Sequence, residues 1–339
     1  MSASPPTART HQLRRLLAQS AAGTTASRVL GAGGGVAAAR LLTPAGRGDL
    51  ALLVVIASIG SLAGASGIQF WIAREVARTH SLAIATHVAV RHSLAIVAGF
   101  AVVGLLLAPL LVPRVVGASE YVATLMYATT GAIAFAALAI PNGDRSMGTV
   151  AAALSIGSVL YLVGTLALLV LGQPNVAAVL GFATLGNVAT VVVVIAFVRA
   201  RTSRAMTTGP RPIGAIWKGG VRYGLPGGVG ELVSLGMLRI DFLLVGAFLP
   251  LRAVAIYAVA TALTELLWVI PDATAQVVLP TAADADTASG SAPVFRVSTL
   301  ATIVGAIVLC VLARPLLDFV FGPAYAQGAV IVPYLALAA

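Results

Sequence analysis

Residues 177–198 read AAVLGFATLGNVATVVVVIAFV, without one charged side chain, and Arg199, Arg201 and Arg204 follow at once. About 20 such residues in a helix span the roughly 30 Å hydrocarbon core of a bilayer. Lipid offers the backbone no hydrogen bonds, so a crossing segment is a helix or part of a closed barrel. The apolar residues here run on continuously instead of alternating, which selects the helix.

Similar runs recur along the chain. Ten spans are expected, at Ser20–Leu42, Leu50–Ile72, Ser93–Val112, Tyr121–Ile140, Thr149–Leu171, Ala177–Val198, Tyr223–Leu249, Val254–Pro280, Val297–Leu312 and Ala329–Ala339. The tenth stops inside an apolar run, which reads as a truncated chain or a fragment. Hydrophobic residues make up 59% of the chain and charged residues only 9%. A soluble domain carries about 25% charged residues. The expected class is therefore an all-α polytopic membrane protein.

The net charge is +10, and Lys218 is the only lysine. The basic residues gather at span ends, so an anionic lipid surface fits them better than nucleic acid, which is not expected as a partner. Basic residues flanking spans mark the cytoplasmic side. With the N-terminus inside, fourteen fall on the inner side and five on the outer. That predicts a multi-pass protein of the plasma or inner membrane with a cytoplasmic N-terminus. The longest basic loop carries Thr207, Thr208, Pro210 and Pro212. It suggests a tail at 1–19, a six-helix lobe at 20–198, a linker at 199–221 and a second lobe at 222–339.

A weak internal resemblance fits that division, set against the reading that helix–proline–loop–helix recurs by chance in any polytopic protein. Pro44 ends the turn after the first span and Pro250 the turn after the seventh, with Arg47 and Arg252 following. An even number of spans between the copies keeps both in one orientation, a plan common among membrane transporters. The first span contains Gly31, Gly33, Gly34 and Gly35, and the seventh opens with Gly224, Pro226, Gly227, Gly228 and Gly230. Such residues serve either an interrupted helix at a transport site or close packing of helices.

Arg28, Glu231, Arg239, Asp241, Glu265 and Asp272 fall inside spans. Each costs about 2.5–3.5 kcal/mol at a helix centre on insertion scales, so each needs water or a partner. Glu265, Trp268, Asp272 and Gln276 are spaced for one face of the eighth span, as the wall of a polar cavity would be. Arg28 and Arg239 suit an anionic headgroup; Glu265 and Asp272 suit sugar hydroxyls or a coupling cation. The competing reading is interhelical ion pairing, for example Arg239 with Glu265. Arg239 and Asp241 point to different sides and need separate partners. Cys310 is the only cysteine, and the four histidines carry no metal-binding spacing. No cofactor or metal is expected, with Na⁺ or H⁺ coupling left open. The short outer loops argue against an enzyme.

Two stretches resemble a known family. Ala39–Leu50 reads ARLLTPAGRGDL, and Leu238–Ala283 reads LRIDFLLVGAFLPLRAVAIYAVATALTELLWVIPDATAQVVLPTAA. Together with Phe321–Tyr325, FGPAY, they resemble the bacterial polysaccharide and O-antigen flippases of the multidrug/oligosaccharidyl-lipid/polysaccharide (MOP) exporter superfamily. Arg239, Asp241, Val245, Gly246, Tyr257, Ala258, Val259, Pro271 and Pro280 match the family pattern, while Ala255 stands where glycine is usual. The resemblance implies a two-lobe, MATE/MOP-like bundle around a central cavity that opens alternately to each side, here with its second lobe incomplete. The implied cargo is a polyprenyl-pyrophosphate-linked oligosaccharide, moved to the outer leaflet for cell-surface polysaccharide synthesis. The expected site is Arg28, Arg239, Asp241, Glu265, Trp268, Asp272 and Gln276, with Arg28 and Arg239 on the pyrophosphate. Membrane lipids and a polymerase or glycosyltransferase complex are the expected partners. The alternatives are a cation-coupled multidrug antiporter and a non-transporting scaffold of envelope synthesis.

Overall fold

The computed structural model describes residues 6–79, 81–112, 117–202, 213–268, 271 and 288–338, and every regular element among them is helical. In chain order these are α1 (Pro6–Leu41), α2 (Pro44–Ala65), α3 (Ile68–Thr79), α4 (Leu82–Leu111), α5 (Ala118–Gly143), α6 (Met147–Val170), α7 (Val176–Thr202), α8 (Ile213–Phe248) and α9 (Leu251–Thr264). The chain continues from α9 as a 3-10 turn, Glu265–Trp268. Then come α10 (Ala288–Leu316), a π-helical turn Leu317–Phe321, a 3-10 stretch Pro323–Val330 and α11 (Val332–Ala338).

Seven of the described helical segments are long and apolar enough to cross a membrane. The first, seventh and tenth expected spans are not among them: glycines and charges dilute α1 and α8, and the described part of Ala329–Ala339 holds only the end of a 3-10 stretch and the seven-residue α11. Other boundaries also move. The polar tail is helical from Pro6, so Ser20 marks no break. The first basic loop folds into α3 and the start of α4, and α8 takes over part of the expected linker.

The repeat is plain in the helix ends. α1 and α8 are each 36 residues long. Their starts, their ends and the starts of α2 and α9 fall at 6 and 213, 41 and 248, and 44 and 251, a constant offset. Each turn has a proline ready to begin the next helix: Pro44 at the first position of α2, and Pro250 capping α9. Proline suits a helix start, where its missing N–H is not needed. Thr43 completes the first turn by accepting from the Gly46 N–H at 3.2 Å.

The equivalent helices α2 and α9 lie against each other at the boundary of the two lobes. Ala51 and Val55 of α2 form one apolar seam with Phe242 of α8 and with Val254 and Ala258 of α9. Two cores fill the first lobe, one around Ile68, Ile72, Val88 and Val194, the other around Leu42, Leu50, Leu168 and Leu180. The second lobe is built on Val259, Leu263, Leu309, Leu317 and Val332. Lipid supplies no hydrophobic drive between helices, so small residues that permit close approach carry the packing. α5 fits this rule, burying mostly alanine and glycine. α4 and α10 present exposed leucine, isoleucine and valine outward, a surface suited to acyl chains.

At the far end of α2, Ser66 (φ 51°) and Gly67 (φ 74°) turn the chain into α3. Here Gly224, Gly227 and Gly228 of α8 serve packing. α8 runs unbroken through Pro226, and a Cβ on Gly224 or Gly228 would overlap the backbone of Gly67. His92 is buried. Its Nε2 lies 3.2 and 3.1 Å from the carbonyls of Gly64 and Ala65 and satisfies groups the end of α2 leaves free. Gln69 donates to Glu231 across the lobes at 2.7 Å, and the Arg74 guanidinium lies 4.3 Å over the Tyr223 ring.

At the α1–α2 end the lobes meet again. Arg40 donates to the carbonyls of Val320, at 2.8 Å, and Phe319. The Tyr325 hydroxyl donates to the Ala39 carbonyl at 3.2 Å. Burial raises the Tyr325 pKa, while nearby Arg47 pulls the other way.

Candidate functional site

α8 and α9 run antiparallel, and the two charges that face α9 take different partners on it. Arg239 reaches Glu265 at 2.7 Å, at the point where α9 tightens into its 3-10 turn. Its guanidinium carbon also lies 5.5 Å from the centre of the Phe242 ring. Asp241 accepts from the Phe242 N–H at 2.8 Å and from the Tyr257 hydroxyl. The Tyr257 and Phe242 rings meet edge to face with centroids 5.2 Å apart. The Arg-x-Asp pair thus splits as its spacing predicts, and the ion pair weighed as the competing reading is the one observed.

That pair is open to solvent or ligand. The Arg239 side chain is 31% exposed and that of Glu265 36%. An ion pair this accessible contributes little net stability, so a more highly charged anion can displace Glu265 at small cost.

The other expected residues are placed as follows. Arg28 is exposed on α1, beside Ser27. Trp268 ends the 3-10 turn and packs against the second-lobe core. The change of helix type at Glu265 means Trp268 no longer follows an α-helical stripe. Asp272 and Gln276 lie outside the described residues. Glu231 holds Gln69 at the lobe contact, apart from the Arg239–Glu265 pair.

The first lobe contains a feature not anticipated from the sequence. A cavity of about 280 Å³ lies among α1, α2, α5, α6 and α7, between the two first-lobe cores. Ser27, Tyr127, Ser158, Tyr161, Asn187 and Thr190 supply its polar lining. Ser27 and Ser158 hydrogen-bond to each other at 2.8 Å. Asn187 donates to the Tyr127 carbonyl and the Thr130 hydroxyl, both at 3.4 Å. Thr190 donates to the Gly186 carbonyl at 3.1 Å. Tyr161 fits because position 34 is glycine; a Cβ there would overlap the tyrosine ring. No lining side chain is charged. These residues come from α1, α5, α6 and α7 and share no motif. Only the glycines of α1 hinted at a close neighbour.

Comparison with known proteins places this geometry. Residues 17–285 match the family described as polysaccharide biosynthesis protein. No curated protein matches by sequence. Among solved structures, the chain is similar to a MATE protein in complex with MaD3S, with a TM-score of 0.61 and 18% identity over 96% of this chain and 79% of that one. It is also similar to the inward-facing conformation of a multidrug resistance MATE transporter of the MOP superfamily, with a TM-score of 0.62 and 16% identity over 92% and 78%. A MOP-superfamily transporter from Pyrococcus furiosus with a binding pocket of reverse polarity gives a TM-score of 0.52 and 18% identity over 96% and 77%. These identities speak to the fold, which is the two-lobed MATE/MOP bundle. The match over most of its length makes this multi-pass membrane protein a member of the polysaccharide biosynthesis protein family.

Proposed function

We propose that the chain is a flippase that carries a polyprenyl-pyrophosphate-linked oligosaccharide from the inner to the outer leaflet of the cell membrane, with its N-terminus in the cytoplasm. The carrying observation is the half-open Arg239–Glu265 pair beside the lobe boundary, in a member of a polysaccharide biosynthesis family. A headgroup of sugars and pyrophosphate does not cross about 30 Å of hydrocarbon unaided. It needs a polar route while its isoprenoid tail stays in lipid. Two lobes hinged at the α2–α9 seam supply that route when they rock against each other.

In this reading the pyrophosphate displaces Glu265 from Arg239 and is met by Arg28 from the first lobe. The incoming group carries more negative charge than the carboxylate it replaces, which favours the exchange. Asp241, held by Tyr257, keeps α8 and α9 in register during the exchange. Trp268, Asp272 and Gln276 are the side chains this reading assigns to the sugars, from their spacing in the sequence. The reading makes the protein a transporter and not an enzyme, needing no cofactor. A polymerase or glycosyltransferase complex would supply and consume its cargo.

The test is export in a cell that lacks its own flippase. Arg28→Ala and Arg239→Ala should each abolish surface polysaccharide while the protein remains in the membrane at normal level. Normal export by both variants would remove the site assignment. The fold relatives support a second reading, a cation-coupled multidrug antiporter. Drug resistance without polysaccharide export would establish it, and neither activity would favour a scaffold. Vesicles containing the full chain, given Na⁺ or pH gradients in turn, identify any coupling ion.

A further inference from the structure

Arg47 has no place in the site just described, yet its position is unusual. It lies in the first turn of α2 and is partly buried, and its Nε is buried with no hydrogen-bond partner. Among the described residues its side chain makes no hydrogen bond and no ion pair. Asp49 is two positions further on and therefore points to another side of α2; its electrostatic neighbour is Glu120 of α5. The Nε of this guanidinium has lost water without gaining a hydrogen bond, while the residue as a whole stays partly exposed; leaving a buried polar atom unsatisfied is costly.

What it faces is informative. Arg47, Leu50 and Val54 follow helical spacing on one face of α2, and the latter two line the first-lobe cavity. Arg47 is within electrostatic range of Tyr161, which lines the same cavity, and of Tyr325 from the second lobe. It therefore lies about one helical turn beyond the cavity's lining on α2, toward the α1–α2 turn where the two lobes meet. The cavity has neutral hydroxyl and amide groups and two tyrosines. These are groups that hydrogen-bond sugar hydroxyls and cover the apolar face of a sugar ring. At about 280 Å³ the space is just under the roughly 300–1,000 Å³ of drug-sized sites, so it suits one sugar ring and not a chain.

We propose that Arg47 and this cavity form a sugar-phosphate subsite, with the guanidinium on the phosphate and the cavity holding the adjoining sugar. The subsite rests on the flippase reading for its physiological ligand, the sugar phosphate nearest the lipid. A free phosphate or an anionic phospholipid headgroup shares part of that chemistry. The absence of a carboxylate from the lining disfavours an organic cation.

The test is calorimetric titration of the full chain in neutral detergent with glucose 1-phosphate, inorganic phosphate and, separately, phosphatidylglycerol micelles. Glucose 1-phosphate should bind the wild type more tightly than either other probe. Arg47→Gln should weaken it about 10-fold or more, the loss of one charge-assisted contact, and Arg47→Lys should recover part. Tyr161→Phe should weaken glucose 1-phosphate while leaving inorganic phosphate unchanged, which a merely unfolded protein would not do. Equal binding by wild type and Arg47→Gln overturns the subsite. So does no preference for the sugar phosphate, or a preference for phosphatidylglycerol. If these fail while the wild type still exports polysaccharide, only the subsite is wrong. If glucose 1-phosphate binds as described but export is absent, the flippase reading fails and the subsite stands.

Discussion

The α8–α9 hairpin and the first-lobe cavity divide between them what a transport site needs. The hairpin supplies charges that are already partnered: Arg239 is paired with Glu265, and Asp241 with Tyr257. The cavity has space and hydroxyls without charge in its lining, and the unpaired Arg47 stands at its edge. Where charges already satisfy one another, a ligand must displace one of them. Where a guanidinium is unpaired, a ligand has only to arrive. The first arrangement binds by exchange, and the second by capture.

The variant with the largest expected effect tests whether the two regions are held together. Gly224→Val forces a side chain into the backbone of Gly67, and overpacking of this kind costs up to about 3 kcal/mol. The expected result is loss of a monodisperse peak on size exclusion and loss of export. Gly230→Ala, on the open side of the same helix, should leave both intact. Next comes Arg239→Gln, which removes the cation and leaves Glu265 unpaired. Export from flippase-deficient cells should fall by about 10-fold or more, with the protein still present in the membrane. Export unchanged by that variant would leave the hairpin a purely structural clasp.

Smaller effects sharpen the contrast. Tyr257→Phe deprives Asp241 of one of its two hydrogen bonds. Stability should drop by about 1–2 kcal/mol, the cost of leaving such a group unsatisfied, measured by denaturant unfolding in detergent. Glu265→Gln should be the mildest. The pair is about one-third exposed, so stability should change by no more than about 0.5 kcal/mol. The freed Arg239 should bind inorganic pyrophosphate more tightly than the wild type in calorimetric titration. A large stability loss with no gain in pyrophosphate binding would mean the pair is a fixed strut, and the distinction between exchange and capture would collapse.

Much of the helical plan was legible in the chain because a membrane makes hydropathy nearly sufficient. α5, α6 and α7 follow apolar runs that are read locally, and Pro44 and Pro250 mark equivalent turns. α3 was missed because a short amphipathic helix looks like a basic loop when only net hydropathy is read. The Arg239–Glu265 pair was visible as an option because both residues are charges in apolar surroundings, and such charges must find partners. The glycines of α8 stayed ambiguous, since helix breaking and close packing use the same residues and differ only in what lies opposite.

Arg47 shows where local reading stops. In the chain it is one more basic residue beside a turn, with no feature separating it from Arg252. Its buried Nε depends on how far α6 and the second-lobe turn approach it, and neither distance is written in the residues around it. By itself the sequence determined that the chain crosses a membrane as helices and which charges need partners, and it hinted at the repeat that the helix ends make plain. Those follow from the cost of polar groups in hydrocarbon, which is local. Only the tertiary structure decided which charges neutralise each other and where hydroxyls from four helices line a cavity. Those outcomes depend on contacts between segments distant in the chain.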